Sequence, residues 1–317
     1  MAEKDWIRQY FAPLAKAPGA AGLTDDTAEL SKGYGPLIAT VDAMVEGVHF
    51  FADDPIETVA RKLVRVNVSD ILGSGAVPRE ALLTLGWPQE GRNPGQIGTF
   101  ADSFGTELDR WGILLAGGDT VMTPGGLFLS LTLTGECLGA GPVRRGGGKA
   151  GDDVWVTGEI GAARRGYLWK TQGLGEPRWL SALQAPELPP LAVAGLISSH
   201  ASAAMDVSDG LLGDLLSLAA ASGLGAQIEL ERVPFAGGAG SLEEMLDLSS
   251  WGDDYQLLFA ADPQAAGFIQ DSGFRVTRIG RLIEGAGLTA TDCGKPVNVP
   301  ETLAFEHGRV GGPAIRA

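Results

Sequence analysis

The amino-acid sequence predicts an α/β protein of two domains, and three observations carry that expectation. At 317 residues the chain is long enough for two separate cores. Apolar runs of strand length alternate with longer runs at helical spacing along it. Residues 139–151, rich in glycine, arginine and lysine, interrupt the alternation near the middle. The boundary is placed there, giving an N-terminal domain over residues 1–140 and a C-terminal domain over residues 141–317.

Trp6, Ile7, Tyr10, Phe11 and Leu14 predict an opening helix over residues 5–15. Residues 37–41 read as a strand ending at Asp42. Ile56, Val59, Leu63, Val66 and Ile71 mark a helix over 55–76 that carries Asn67, Ser69 and Asp70. A strand over 81–85, a helix over 94–110 with proline in its first turn, and a strand over 113–116 entering Gly117-Gly118-Asp119 follow. Residues 127–135 complete the first half. Beyond the boundary come a strand at 153–157, helices at 162–170 and 189–198, and between them a mobile loop over 171–188. A short apolar run at 201–205 hands over to a helix with leucines at 211, 212, 215, 216 and 218. Residues 227–230, 255–260 and 274–281 are the last expected strands.

Composition narrows the function. Apolar residues at 44% and charged residues at 20% suit a globular chain. A net charge of −15 argues against nucleic acid or an anionic membrane as partner, since both select basic surfaces. Residues 1–11 lack the apolar centre of a signal peptide, and the most apolar stretch, 211–224, is broken by Asp214 and too short to span a bilayer. Cys137 and Cys293 have no metal-ligand spacing, so a reduced, cytoplasmic compartment is expected.

The chemistry concentrates in aspartates. Asp206-Val207-Ser208-Asp209-Gly210 sits where a strand passes to a helix, and taken alone Asp206 or Ser208 reads as an N-cap. Asp recurs, however, in Thr24-Asp25-Asp26, Thr40-Val41-Asp42, Asn67-Val68-Ser69-Asp70, Gly117-Gly118-Asp119-Thr120 and Trp251-Gly252-Asp253-Asp254-Tyr255. Carboxylates that converge repel one another, by ~4 kcal/mol at 4 Å in an effective dielectric of 20, and need protons or cations. Mg²⁺ binds through a few carboxylates plus substrate phosphates. Gly146-Gly147-Gly148-Lys149-Ala150 fails as a P-loop, because Val143 stands at the first glycine position and Ala150 at the metal-binding hydroxyl. Gly139-Ala140-Gly141 fails as a dinucleotide fingerprint at Arg144. A nucleotide would therefore be held through carboxylate-bound cations, with Arg144 and Arg145 as candidate partners of a transferring phosphate.

These stations, in order and with Glu46-Gly47-Val48-His49-Phe50 and Gly252-Asp253-Asp254-Tyr255-Gln256-Leu257-Leu258-Phe259, closely resemble the thiamine-monophosphate kinase family of the aminoimidazole-ribonucleotide synthetase superfamily. The resemblance covers nearly the whole chain. It implies a two-domain α/β (α+β) fold, an N-terminal sheet that pairs across a homodimer, and a ferredoxin-like C-terminal domain that completes the active site. It implies ATP-dependent phosphorylation of thiamine monophosphate to thiamine diphosphate, with several Mg²⁺ ions and no phosphoenzyme. Asp26, Thr40, Asp42, Asp70, Asp119, Asp206 and Asp209 would hold metal, and Val41 would contribute by main chain alone. Gly118, Asp119, Arg145 and Ser208 would contact ATP, with Asp42, Asp119, Arg145 and Asp209 central to catalysis. His49, Asp253 and Phe305 would border the thiamine phosphate, although His49 and Phe305 also read as packed core residues. Thr24, Val41, Trp251 and Asp253 depart from the family's usual Gly, Thr, Gly and Glu. Selenophosphate synthetases fit less well, because the first cysteine is Cys137. A metal-dependent phosphohydrolase, or a cation- or nucleotide-binding regulator without turnover, remains open on the same carboxylates.

Overall fold

Alternation of strands and helices builds two units, each with its own sheet. The computed structural model describes residues 3–24, 27–93, 95–300 and 302–304. Asp25, Asp26 and Phe305 lie outside the described residues. The first unit draws its described residues from Met1–Ile71 and Val77–Cys137, the second from Leu72–Ala76 and Leu138–Gly312.

In the first unit, α1 (Glu3–Trp6) runs into a wider turn over Ile7–Phe11 and tight turns over Ala12–Leu14 and Pro18–Leu23. The regular helix expected over 5–15 is thus loosened, with Pro13 lacking the N–H a helix interior needs. Four strands follow: β1 (Leu37–Val45), β2 (Ala76–Pro88), β3 (Leu114–Thr123) and β4 (Phe128–Cys137), in the order β1-β4-β2-β3. β1 and β4 are antiparallel, with Asp42 opposite Leu131. β2 and β3 are parallel, with a register shift that passes over Ala116. Two helices complete the unit, α2 (Ile56–Gly73), whose last two residues belong to the second unit, and α3 (Gln96–Trp111).

α3 is a one-sided helix that buries Ile97, Phe100, Phe104, Leu108 and Trp111 and stops at the left-handed Gly112. α2 is buried on nearly all sides from Lys62 to Gly73, so each of its polar side chains needs a partner. Arg65 finds one in Glu107, with Nε–Oε1 at 2.8 Å, and Trp111 Nε1 donates to the same carboxylate at 2.9 Å. Three strands run well beyond the expected spans, and the longest extension is that of β2, which covers Ala76–Pro88 where 81–85 is expected. β1 continues past Asp42 to Val45, and β3 past Gly117 to Thr123. Pairing with β4 and with β2 outweighs the poor strand propensity of Asp and Gly.

The second unit contains β5 (Asp153–Thr157), α4 (Ala162–Gln172), α5 (Leu180–Gln184), α6 (Val193–His200), β6 (Ala201–Asp206), α7 (Leu211–Ala221) and β7 (Gly225–Glu229). α8 (Leu242–Ser249), β8 (Leu257–Ala261), α9 (Ala266–Gln270), β9 (Val276–Ile283), β10 (Leu288–Asp292) and β11 (Lys295–Val297) follow. The sheet order is β11-β10-β7-β9-β5-β8-β6. The interior strands β5 and β8 are buried at every position, Asp153 and Thr157 at the ends of β5 included. Leu211, Leu212, Leu215 and Leu218 of α7 join Val154, Val156, Ile228, Leu258 and Ile279 in the core.

The segment 171–188 is not a simple mobile loop. It contains a tight turn at Pro177–Trp179 and α5, with Leu183 buried. A side chain at Gly166 would meet the Trp179 carbonyl at 2.5 Å, so the glycine is what lets this segment close on α4. α8 carries a signal the pattern reading missed. Ser241 Oγ caps the helix by accepting the Glu244 N–H at 3.2 Å, while the Glu244 carboxylate accepts the N–H of Gly240, the residue before the cap, at 2.7 Å, a variant of the S-x-x-E box. Among the described residues, no helix is long and apolar enough to cross a membrane.

Candidate active site

In the first unit, α2 fixes the candidate residues of the edge strand β1. Thr40 and Asp42 project from one face of β1, two residues apart. Thr40 Oγ1 donates to Asp70 Oδ2 on α2 at 2.5 Å. Asn67, one turn earlier, accepts the Asp42 N–H on Oδ1 at 3.1 Å and donates from Nδ2 to the Leu63 carbonyl at 2.9 Å. The second bond sets the amide orientation, and the first covers an edge-strand N–H that would otherwise be open to pairing. Asn67 is thus a structural tie, which its place in a helical repeat did not reveal.

Burial, and then the negative charge of Asp70, raise the Asp42 carboxyl from 3.8 to about 6. Two carboxylates and a hydroxyl pressed together in this way suit a hard, oxygen-seeking cation such as Mg²⁺, whose charge would relieve the repulsion. Val41 points its side chain to the opposite face, where it is 61% exposed, leaving only main-chain atoms for such a role. Asp119 is elsewhere on the sheet. Strands β4 and β2 separate it from β1, roughly 14 Å of backbone at the usual strand spacing. It borders a cavity of about 550 Å³ with Gly117, Gly118 and the apolar side chains of Phe11, Leu82 and Leu115. At Gly118 an added Cβ would lie 2.0 Å from the Leu83 carbonyl oxygen, so only glycine passes β2 here. Among the described residues no three His, Cys, Asp or Glu side chains form a metal cluster. Any ion would therefore complete its shell with water or ligand oxygens.

His49 sits in the turn after β1. Its backbone N–H donates to the Val45 carbonyl, and its Nδ1 accepts the Val45 N–H, both at 3.0 Å. The Nζ of the buried Lys62 donates to the His49 carbonyl at 3.0 Å.

The second unit assembles the remaining candidates around the start of α7. Asp206 ends β6 and is buried, whereas Asp209 is exposed. Gly210 is the N-cap residue, and Asp214 reaches back from the first turn to accept the N–H groups of Asp209 and Gly210, each at 3.1 Å. Asp214, which in the sequence only interrupts an apolar run, thus braces the entrance of α7. Burial first, then the charge of Asp209, push its carboxyl up to about 7, against those two hydrogen bonds and the pull of Arg145. The pull of Arg145 brings that exposed side chain into the electrostatic reach of this corner. Its loop is anchored through the Arg144 carbonyl, which accepts the Ala204 N–H at 3.0 Å, and through Ser222 Oγ, which accepts the Gly148 N–H at 3.1 Å.

The Trp251-Gly252-Asp253-Asp254-Tyr255 stretch is laced onto the same corner. Asp253 N–H donates to the Ser208 carbonyl at 2.9 Å, Tyr255 N–H to that of Val207 at 2.8 Å, and Val207 N–H to that of Gln256 at 2.7 Å. Asp253 and Tyr255 adopt left-handed backbone angles, φ 68° and 50°, a strain of about 1–3 kcal/mol each of the kind found at ligand sites. The two neighbouring aspartates divide their tasks. Asp253 accepts from the Tyr255 hydroxyl at 3.1 Å, whereas Asp254 is buried and accepts the Gly161 and Ala163 N–H groups at 2.7 and 3.3 Å, capping α4. Burial raises the Asp254 carboxyl to about 7, against those bonds. Both border a cavity of about 450 Å³ that also meets Glu159, Arg178, Glu187 and Arg275.

Residues 24–137 match the family described as AIR synthase related protein, N-terminal domain, and residues 149–293 its C-terminal counterpart. A thiamine-monophosphate kinase of Caulobacter vibrioides is 37% identical over 323 aligned positions, 96% of this chain and 91% of the relative. The crystal structure of the Stenotrophomonas maltophilia thiamine-monophosphate kinase is 29% identical, with a TM-score of 0.76 over 92% of this chain and 96% of that one. A solved complex described as AaThiL with AMPPCP and TMP is 28% identical, with a TM-score of 0.74 over 89% and 91% of the two chains. With both family domains matched in order, and similarity to these kinases running nearly end to end, the chain belongs to the AIR synthase related family and, within it, to the thiamine-monophosphate kinases.

Proposed function

We infer that this chain transfers the γ-phosphoryl group of ATP to the phosphate of thiamine monophosphate, giving thiamine diphosphate and ADP. The observation that carries the reading is the near full-length likeness to thiamine-monophosphate kinases, one of them solved with AMPPCP and TMP. In the transfer, an oxygen of the acceptor phosphate bonds to the γ phosphorus as the bond from that phosphorus to the β–γ bridging oxygen breaks. The acceptor is already ionised, so no side chain has to remove a proton, and no phosphoenzyme is needed.

Mg²⁺, when bound, supplies positive charge to the phosphate oxygens. Thr40, Asp42, Asp70 and Asp119 in the first unit, and Asp206 and Asp209 in the second, are the described residues proposed to hold it, with Asp26 and main-chain atoms of Val41. Gly118, Asp119, Arg145 and Ser208 meet ATP, and Arg145 neutralises charge on the transferring group. His49, Asp253 and Phe305 border the acceptor. Residues 1–140 form the ATP-, Mg²⁺-binding and dimerisation domain, and residues 141–317 supply Arg145, Ser208, Asp209 and Asp253. The enzyme works in the cytoplasm, a reading supported by two free cysteines, one of them exposed. Purified protein given ATP, Mg²⁺ and thiamine monophosphate is expected to form thiamine diphosphate and ADP in equal amounts, with none of the diphosphate from thiamine itself. Free phosphate without thiamine diphosphate would replace the reading with a phosphohydrolase.

The working form is a homodimer joined through the outer face of β1. Leu37, Val41 and Val45 on that face are 48%, 61% and 38% exposed, interleaved with the exposed Ala39 and Ala43. An apolar stripe of this kind on an edge strand invites a second copy. Val41→Lys is expected to shift the mass measured by light scattering from dimer to monomer, and an unchanged dimer would place the interface elsewhere.

A further inference from the structure

Ser222, the C-cap residue of α7, makes more bonds than a cap needs. Its Oγ lies 3.2 Å from the Leu218 carbonyl and 3.4 Å from that of Arg145, and it accepts the N–H groups of Gly147 and Gly148 at 3.3 and 3.1 Å. A hydroxyl has two lone pairs and one hydrogen. The two amides occupy the lone pairs, so the hydrogen is directed to the carbonyls of Leu218 and Arg145. One side chain thus ties the backbone on both sides of Gly146 to the end of α7.

Glycines let the loop press this close. A Cβ would lie 2.5 Å from the Ala221 carbonyl oxygen at Gly146, 2.5 Å from that of Ser202 at Gly147, and 2.4 Å from Leu282 Cδ1 at Gly148. On the flanks, the Arg144 carbonyl accepts the Ala204 N–H, and the Asp152 carboxylate accepts the Lys149 N–H at 2.9 Å. The backbone from 144 to 149 is therefore packed between β6, β9 and the end of α7, while the side chains of Arg144, Arg145 and Lys149 stay exposed.

A fixed base changes what an exposed arginine can do. On a free loop, both backbone and side chain lose entropy when the guanidinium meets a ligand; on a fixed base only the side chain does. α7 also supplies the reference. Its 11 residues, roughly 16 Å of helix, join the Arg145 loop to the Ser208-Asp209 corner. The pull of Arg145 on Asp214, about two turns before Ser222, agrees with a side chain that runs along α7 toward that corner.

We propose that Ser222 is a positioning residue for phosphoryl transfer, clamping the 145–148 backbone to the end of α7 so that the Arg145 guanidinium is held where a nucleotide phosphate is met. The proposal rests on the kinase reading, in which Arg145 meets ATP. It gives Ser222 itself no contact with substrate.

A double-mutant cycle separates this role from that of a helix cap. Ser222→Ala is expected to lower kcat/KM for ATP by between about tenfold and 10²-fold, the cost of misplacing a positioned group, with KM for thiamine monophosphate held within about twofold. In an Arg145→Ala background the same change should cost less than about twofold, because the group it positions is gone. Thr171→Ala is the control. Thr171 Oγ1 donates to the Tyr167 carbonyl at 2.7 Å, the same four-residue bond at the end of α4, and its loss should leave kcat/KM unchanged. Equal losses in both backgrounds, full activity in Ser222→Ala, or a like loss in Thr171→Ala would overturn the positioning role. Hydrogen exchange in wild-type protein decides even if Ser222→Ala fails to fold. The Gly147 and Gly148 amides are expected to exchange at least about tenfold more slowly than in urea-unfolded chain, and unprotected amides would overturn the clamp. If wild-type protein makes no thiamine diphosphate the kinase reading fails by itself. The Kd of ATP in the same four proteins of the cycle is then expected to show the same non-additive loss, and additive losses would overturn the clamp.

Discussion

Asp42→Asn is expected to abolish turnover and at the same time to make the metal-free protein more stable. The carboxylate belongs to the Thr40–Asp42–Asp70 group, and the amide keeps its size while removing its charge. Loss of one preorganised electrostatic group at a reacting centre costs kcat about 10²-fold or more. In the absence of cation, the same charge is a burden. Asp42 keeps its proton up to about pH 6 in the folded chain but releases it near 3.8 when its surroundings are lost. Between those values the folded state binds more protons than the unfolded, so stability falls as pH rises through that window. The shift spans roughly two pKa units at about 1.4 kcal/mol each. Partial exposure of the group reduces the net penalty to ~1–2 kcal/mol at pH 8, a few degrees of Tm. Asp214 and Asp254, both raised to about 7, act in the same direction and extend the decline toward neutrality. Melting curves in EDTA from pH 4.5 to 8 should therefore slope downward in wild type and less steeply in Asp42→Asn. Wild-type kcat in a folded Asp42→Asn protein would remove Asp42 from the metal set, and equal slopes would remove its charge from the stability balance.

Gly252→Ala is the second large effect, and it acts through shape. A Cβ built on Gly252 lies 2.0 Å from the Ser208 carbonyl oxygen, 2.9 Å from its carbon and 3.0 Å from Asp209 Cα. All three are backbone atoms, so no side chain can turn aside. The two stretches must separate, which breaks the Asp253–Ser208 and Tyr255–Val207 bonds and displaces Asp209 and Asp253 together. Overpacking at 1–3 kcal/mol plus about 1 kcal/mol for each of the two lost bonds gives an expected destabilisation of ~3–5 kcal/mol. Activity should fall even at temperatures where the protein stays folded. Gly195→Ala in α6 is the matched control, because a Cβ there meets nothing within 4 Å. It should be neutral or stabilise by up to ~1 kcal/mol. Urea unfolding and kcat/KM of both variants check the pair. Equal behaviour would mean that the two stretches tolerate separation.

Local chemistry written into single stretches was open to reading from the chain alone. Apolar spacing announced α2 and α7, a proline in the first turn marked α3, and short strand-length runs marked β5 and β8, because helical and strand patterns depend only on neighbours a few residues away. The handover from β6 to α7 at Asp206-Val207-Ser208-Asp209-Gly210 was legible for the same reason, as was the recurrence of aspartates beside glycines. The tertiary structure alone decided what those residues do for each other. That Asn67 serves the Asp42 amide, that Asp214 braces the α7 entrance, and that Asp253 and Asp254 face different partners depends on how the folded chain brings these groups together. A carboxylate reads alike in sequence whether it caps a helix, braces a loop or waits for a cation. Its role is set by burial and by the charges within a few ångströms, and only the folded chain fixes those.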